Sequence, residues 1–131
     1  MRDDIVKAAE ELADDGQLAC TDAHALAKRL GVASIEVGKA VNRATSLRFY
    51  RCQLGVFGYG PKPEGKHKII TAAARVPDDI GDAIKARVRN GAISCKAVWE
   101  LADEFKYPRL GMANICEALE LQIRPCQLGC F

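Results

Sequence analysis

The sequence predicts a mainly α-helical protein with short β-strands, built as two tandem three-helix units. Cys52-Gln53-Leu54-Gly55-Val56-Phe57 returns as Cys126-Gln127-Leu128-Gly129-Cys130-Phe131. Gly16-Gln17-Leu18-Ala19-Cys20 returns as Gly91-Ala92-Ile93-Ser94-Cys95. Between these markers, apolar residues recur at helix spacing and Gly31 interrupts them. The offset is 75 from Cys20 to Cys95 and 74 from Cys52 to Cys126, so one residue is lost in between. A motif present twice is too short for a solenoid, which needs about three units. It predicts a duplicated small unit: residues 1–57, a Gly/Pro linker over 58–75, and residues 76–131.

Each element has its own signal. Ile5, Ala8, Ala9 and Leu12 lie at i, i+3, i+4 and i+7, one face of a first helix. Asp3 and Asp4 suit the positive end of its dipole. Asp15-Gly16 is expected to end it, with Gly16 in the left-handed cap position. A second helix runs from about Cys20 to Leu30 and stops at Gly31. Ser34 is placed to cap a third helix, Ile35 to about Thr45, with Val37, Val41 and Ala44 as its buried stripe. Residues 47–54 alternate in part and carry Phe49 and Tyr50, which predicts a short strand with turn positions at Gly55 and Gly58. The glycines and prolines from Gly58 to Lys68 predict a linker, with Ile69 to Ala74 extending into helix.

In the second half, Asp78 or Asp79 begins a helix that Gly91 ends. Helices follow over Cys95–Phe105 and Leu110–Leu121. Residues 122–128 form the matching strand, which Pro125 confines to an edge or makes irregular, because proline has no amide to donate.

The 49% hydrophobic content suffices for a packed core. A unit of roughly 55 residues buries only about 60% of its chain surface, so the halves are expected to pack on each other or on a second chain. No run approaches the roughly 20 apolar residues of a membrane span. Met1-Arg2-Asp3-Asp4 lacks the apolar run expected of a signal peptide. A cytoplasmic protein without membrane contact is expected, its six cysteines reduced.

Ala25-Leu26-Ala27-Lys28-Arg29-Leu30-Gly31-Val32, followed by Ile35-Glu36-Val37-Gly38-Lys39-Ala40-Val41, resembles the core of bacterial helix-turn-helix domains, winged-helix-like once the strand is added. The resemblance covers most of residues 4–57. It implies that Ala27 lets two helices cross closely, that Gly31 makes the turn, and that Val32 and Val41 anchor the third helix. The second half departs from it: Lys106 replaces the turn glycine and Tyr107-Pro108-Arg109 fills the connection. In such domains the early residues of the third helix meet base edges and nearby cations hold phosphates. The resemblance therefore implies Ser34, Glu36 and Lys39 as base-edge residues. It implies Arg43, Arg48, Arg51, Lys62, Lys66 and Lys68 as phosphate contacts. Gly38 would let the backbone come close.

Charge distribution favours the first half as the reader. Residues 1–22 hold two basic and seven acidic residues, whereas 23–57 hold six basic and one acidic. The linker adds four basic residues against Glu64, and 76–131 hold seven basic and eight acidic. The small net charge of +2 thus hides a basic middle. The expected function is binding of double-stranded DNA, as a transcriptional regulator or accessory. The second half would act as a structural or dimerising partner, through a homodimer or another protein.

Two alternatives use the same scaffold. One is a protein-interaction module that has lost DNA binding. The other is a redox or metal sensor, since Cys20 matches Cys95, Cys52 matches Cys126, and Cys126-x-x-x-Cys130 adds a pair. Against the sensor, buried cysteines also serve as small hydrophobes. No Cys-x-x-Cys pair or clustered His completes a zinc site, so no metal or cofactor is expected. His24 matches Trp99, which predicts a packing position. In the repeated Gln-Leu-Gly-x-Phe, Leu and Phe would plug the core while Gly turns the chain. No catalytic set or cofactor fingerprint can be assembled, so an enzyme is not expected.

Overall fold

A computed structural model describes residues 3–56 and 68–130. Lys62, Lys66, Gly58, Phe57 and Phe131 lie outside the described residues. The described chain is mainly helical with a few short strands. Its first half runs α1 (Asp3–Leu12), β1 (Gln17–Ala19), α2 (Cys20–Leu30), α3 (Ser34–Ala44) and β2 (Arg48–Tyr50). Its second half runs α4 (Asp78–Arg87), β3 (Ala92–Ile93), α5 (Cys95–Glu104), α6 (Arg109–Ala118) and β4 (Gln122–Ile123).

The sequence reading misses β1 and β3. Each has two or three residues, too few for a period-2 pattern to show. β1 pairs in parallel with β2, Leu18 opposite Phe49, and β3 pairs in parallel with β4, Ile93 opposite Ile123. Among the described residues, the strand after α3 is therefore joined to the strand before α2. It does not form the antiparallel hairpin that a wing would be.

Gly16 and Gly91 do not cap helices. Asp15 and Gly16 have φ of 50° and 75°, and Asn90 and Gly91 have φ of 53° and 74°. Asp14 and Gln17 exchange N–H···O bonds of 2.8 and 2.9 Å, as Arg89 and Ala92 do at 2.8 and 3.1 Å. Two positive-φ residues inside such a bonded pair make the two-residue turn that matches strand twist. β1 and β3 begin directly after these turns.

The connection from α2 to α3 follows the predicted design. Gly31 sits at φ 67°, and the Val32 amide donates to the Ala27 carbonyl at 3.0 Å. The second half keeps this geometry without glycine. Lys106 takes φ 51°, and the Tyr107 amide donates to the Ala102 carbonyl at 2.8 Å. Ala33, not Ser34, is the N-cap of α3.

The predicted strands over 47–54 and 122–128 shorten to β2 and β4. Arg51 at φ 53° turns the chain out of the first. Pro125 offers the second no amide for a ladder. The predicted helical extension over 69–74 is absent, because its amides have other acceptors. Ile69 donates to the Gly55 carbonyl at 2.9 Å and Thr71 to Asn114 Oδ1 at 3.0 Å. Ala73 donates to the Asn114 carbonyl at 3.0 Å.

The two cores exchange segments. One is built from Ile5, Ala9, Leu18, Leu26, Val37, Val41 and Phe49, and it includes Cys126 and Leu128 from the other half. The second is built from Ile84, Ile93, Val98, Leu101, Met112 and Ile115, and it includes Cys52 and Leu54. The repeated Cys-Gln-Leu-Gly segment therefore plugs the core of the opposite half. Leu54 and Leu128 are 0% and 1% exposed, and a leucine so buried is worth about 1.5–3 kcal/mol.

Candidate nucleic-acid interface

α3 presents two different faces. Val37, Gly38, Ala40 and Val41 are buried. Glu36, Lys39 and Arg43 are exposed and follow one another at i, i+3 and i+7, a single stripe. Arg48 on β2 and Arg51 just after it are also exposed. Among the described residues, none of Lys39, Arg43, Arg48 and Arg51 is held in an ion pair. Arg51 lies over the Tyr50 ring, 5.1 Å from its centroid.

The start of α3 is turned inward. Ser34 is half-buried, and its Oγ lies 2.8 Å from His24 Nδ1. Gly38 is covered by the second Cys-Gln-Leu-Gly segment: a Cβ there would sit 1.8 Å from the Leu128 carbonyl oxygen. The close approach that Gly38 permits is therefore to the protein's own backbone, not to DNA. Of the base-edge residues implied by the sequence, Glu36 and Lys39 are exposed and Ser34 is engaged.

The matching face of α6 is occupied. Asn114 stands where α3 has Lys39, and it binds the backbone of Thr71 and Ala73. Lys68, a predicted phosphate contact, lies 4.0 Å from Glu117. Lys68 and Glu117 also line a cavity of about 500 Å³ with Val56, Ile70, Leu121 and Arg124. Arg87 in α4 is bonded to Glu100 at 2.6 Å. Lys68 of the linker and Arg87 of the second half are thus partly neutralised, whereas the cations of α3 and β2 are not.

His24 and Trp99, matched in sequence, meet at the junction of the halves. Their ring centroids are 4.3 Å apart and tilted by 48°. Arg109, the counterpart of Ser34, stacks on Trp99 at 3.7 Å from the ring centroid. Burial, with Arg109 nearby, lowers the His24 pKa to about 4. A neutral imidazole is what this site accommodates. Among the described residues, His24 Nε2 and Trp99 Nε1 are buried without hydrogen-bond partners. The offset of 75 pointed to a packing role for His24, but nothing in it showed that the two rings touch each other.

The cysteines gather at the exchange. Cys20 interacts electrostatically with Cys52, Cys95 and Cys126, and Cys130 with Cys126, Cys20 and Cys52. Cys116 stands apart. Burial pushes Cys20 up to about 12, and Cys95 and Cys116 up to about 11. These three are protonated at neutral pH. Among the described residues, no group of three or more His, Cys, Asp or Glu side chains could hold a metal ion. No helix among them is long and apolar enough to cross a membrane. Comparison with family models, curated proteins and solved structures finds no match.

Proposed function

We propose that the protein binds double-stranded DNA by gripping phosphates with Lys39, Arg43, Arg48 and Arg51. One observation carries this reading: the four cations are exposed and lack ion-pair partners among the described residues. Free surface cations release DNA counterions on binding, whereas an ion-paired cation must first give up its partner. The engaged Ser34 and the covered Gly38 argue against inserting the start of α3 into the major groove. Phosphate contacts without base readout make an accessory protein of low sequence preference a better fit than a sequence-specific regulator.

Fluorescence anisotropy with labelled duplexes tests this. Four phosphate contacts give a log–log salt slope of about −3.6, which is roughly a 100-fold loss of affinity between 50 and 200 mM salt. The quadruple variant Lys39→Ala, Arg43→Ala, Arg48→Ala, Arg51→Ala is expected to lose binding while keeping its helical signal. Duplexes of unrelated sequence should differ by only a few-fold. No binding by the intact chain at 50 mM salt would end the DNA reading and leave the protein-interaction module.

A further inference from the structure

We propose that Cys126 and Cys130 form a redox-active dithiol that a hydroperoxide oxidises to a disulfide. The turn that joins them brings them together. The Gly129 amide donates to the Cys126 carbonyl at 3.1 Å, and Gly129 at φ 82° folds the chain back. The two thiols are near enough to interact with each other. Cys126 Sγ also accepts the Leu128 amide at 3.3 Å. The Gly129 and Cys130 amides contribute to the same sulfur. Converging amides of this kind form a nest for an anion, here a thiolate.

The first half shows that the turn itself does not require the second thiol. There the Gly55 amide donates to the Cys52 carbonyl at 2.9 Å, Gly55 has φ 74°, and Val56 stands where Cys130 does. The architecture is built twice and the dithiol once. Cys130 is exposed, so the role of a small buried hydrophobe does not explain it. Interaction with the Cys130 thiol, together with the nest, holds Cys126 below the ordinary thiol range, and the same interaction raises Cys130. Cys126 is therefore the attacking sulfur and Cys130 the resolving one.

The chemistry balances with the hydroperoxide as oxidant. The Cys126 thiolate attacks one peroxide oxygen, an S–O bond forms and the O–O bond breaks. The departing oxygen takes a proton and leaves as water or an alcohol. The Cys130 sulfur then attacks the Cys126 sulfenic acid, the S–S bond forms, and hydroxide leaves with the Cys130 proton as water. Two thiols lose two electrons and the peroxide gains them.

The test treats the full reduced chain with hydrogen peroxide at pH 7, alkylates it and maps the peptides by mass spectrometry. The peptide spanning 126–130 should lose two hydrogens and both alkylation sites, while Cys20, Cys95 and Cys116 remain alkylated. In the untreated protein, Cys126 should alkylate at least about 10-fold faster than Cys20. The Cys130→Val variant copies the first half and should fold. Peroxide should give it no disulfide, and Cys126, without the Cys130 interaction, should form a dimedone-trapped sulfenic acid more slowly than the parent forms its disulfide. A disulfide mapped to another pair would overturn the proposal, as would a peroxide-treated full chain in which Cys126 and Cys130 both remain open to alkylation.

Discussion

Gly38 and Lys106 show how much a single backbone position decides. Gly38 lies inside a helix, where glycine costs about 1 kcal/mol against alanine. Propensity alone therefore predicts that Gly38→Ala stabilises the protein. The Leu128 carbonyl, 1.8 Å from where the Cβ would be, reverses that sign. Gly38→Ala is expected to lower stability by about 1–3 kcal/mol, read from the urea midpoint. Lys106 is the opposite case. It holds a left-handed conformation, φ 51°, at the position that Gly31 occupies in the first half. A side chain there costs roughly 1 kcal/mol, which Lys106→Gly should recover as a higher midpoint. An unchanged midpoint would mean that Lys106 makes an offsetting contact.

The elements that the sequence disclosed are those long enough to show a period. The bounds of α2 were legible from Cys20 to Leu30, since Gly31 marks the stop by a local mechanism. β1 and β3 were not legible, because their pairing partners lie some thirty residues away. The basic stripe Lys39–Arg43 was legible from its spacing, whereas the covering of Gly38 by Leu128 depends on a fold in which segments are exchanged. Repetition of Cys-Gln-Leu-Gly announced a core plug but not which core it fills. That exchange makes a crossed prediction. Leu54→Ala should cost about 2–5 kcal/mol and release amide protection in α5 and α6, elements of the other half. Leu128→Ala should do the same to α2 and α3. Hydrogen exchange with mass spectrometry reads both. Protection lost only within the mutated residue's own half would contradict the exchanged cores.

Exchanged plugs make the two halves one cooperative body, since neither core is complete without the other half's segment. Unfolding should accordingly show a single transition. The junction adds a proton to that transition. His24 packs on Trp99, its Nδ1 bonded to Ser34 and its charged form opposed first by burial and then by Arg109. Its pKa falls from 6.5 to about 4 in the folded state. Between those values the unfolded chain binds a proton that the native state refuses. Stability is then complete above pH 6.5 and is lost as pH falls toward 4. After allowance for the partial exposure of the ring, the loss is about 1–2 kcal/mol. Urea midpoints at pH 7, 5.5 and 4.5 should fall in that order. His24→Gln keeps a neutral hydrogen-bonding group beside Ser34 but cannot be protonated, so its midpoints should change less across the same range. Arg109→Gln removes the like charge and should move the His24 titration upward by NMR. If His24→Gln keeps the full slope of the parent, the acid sensitivity belongs to other groups and the junction is merely packed.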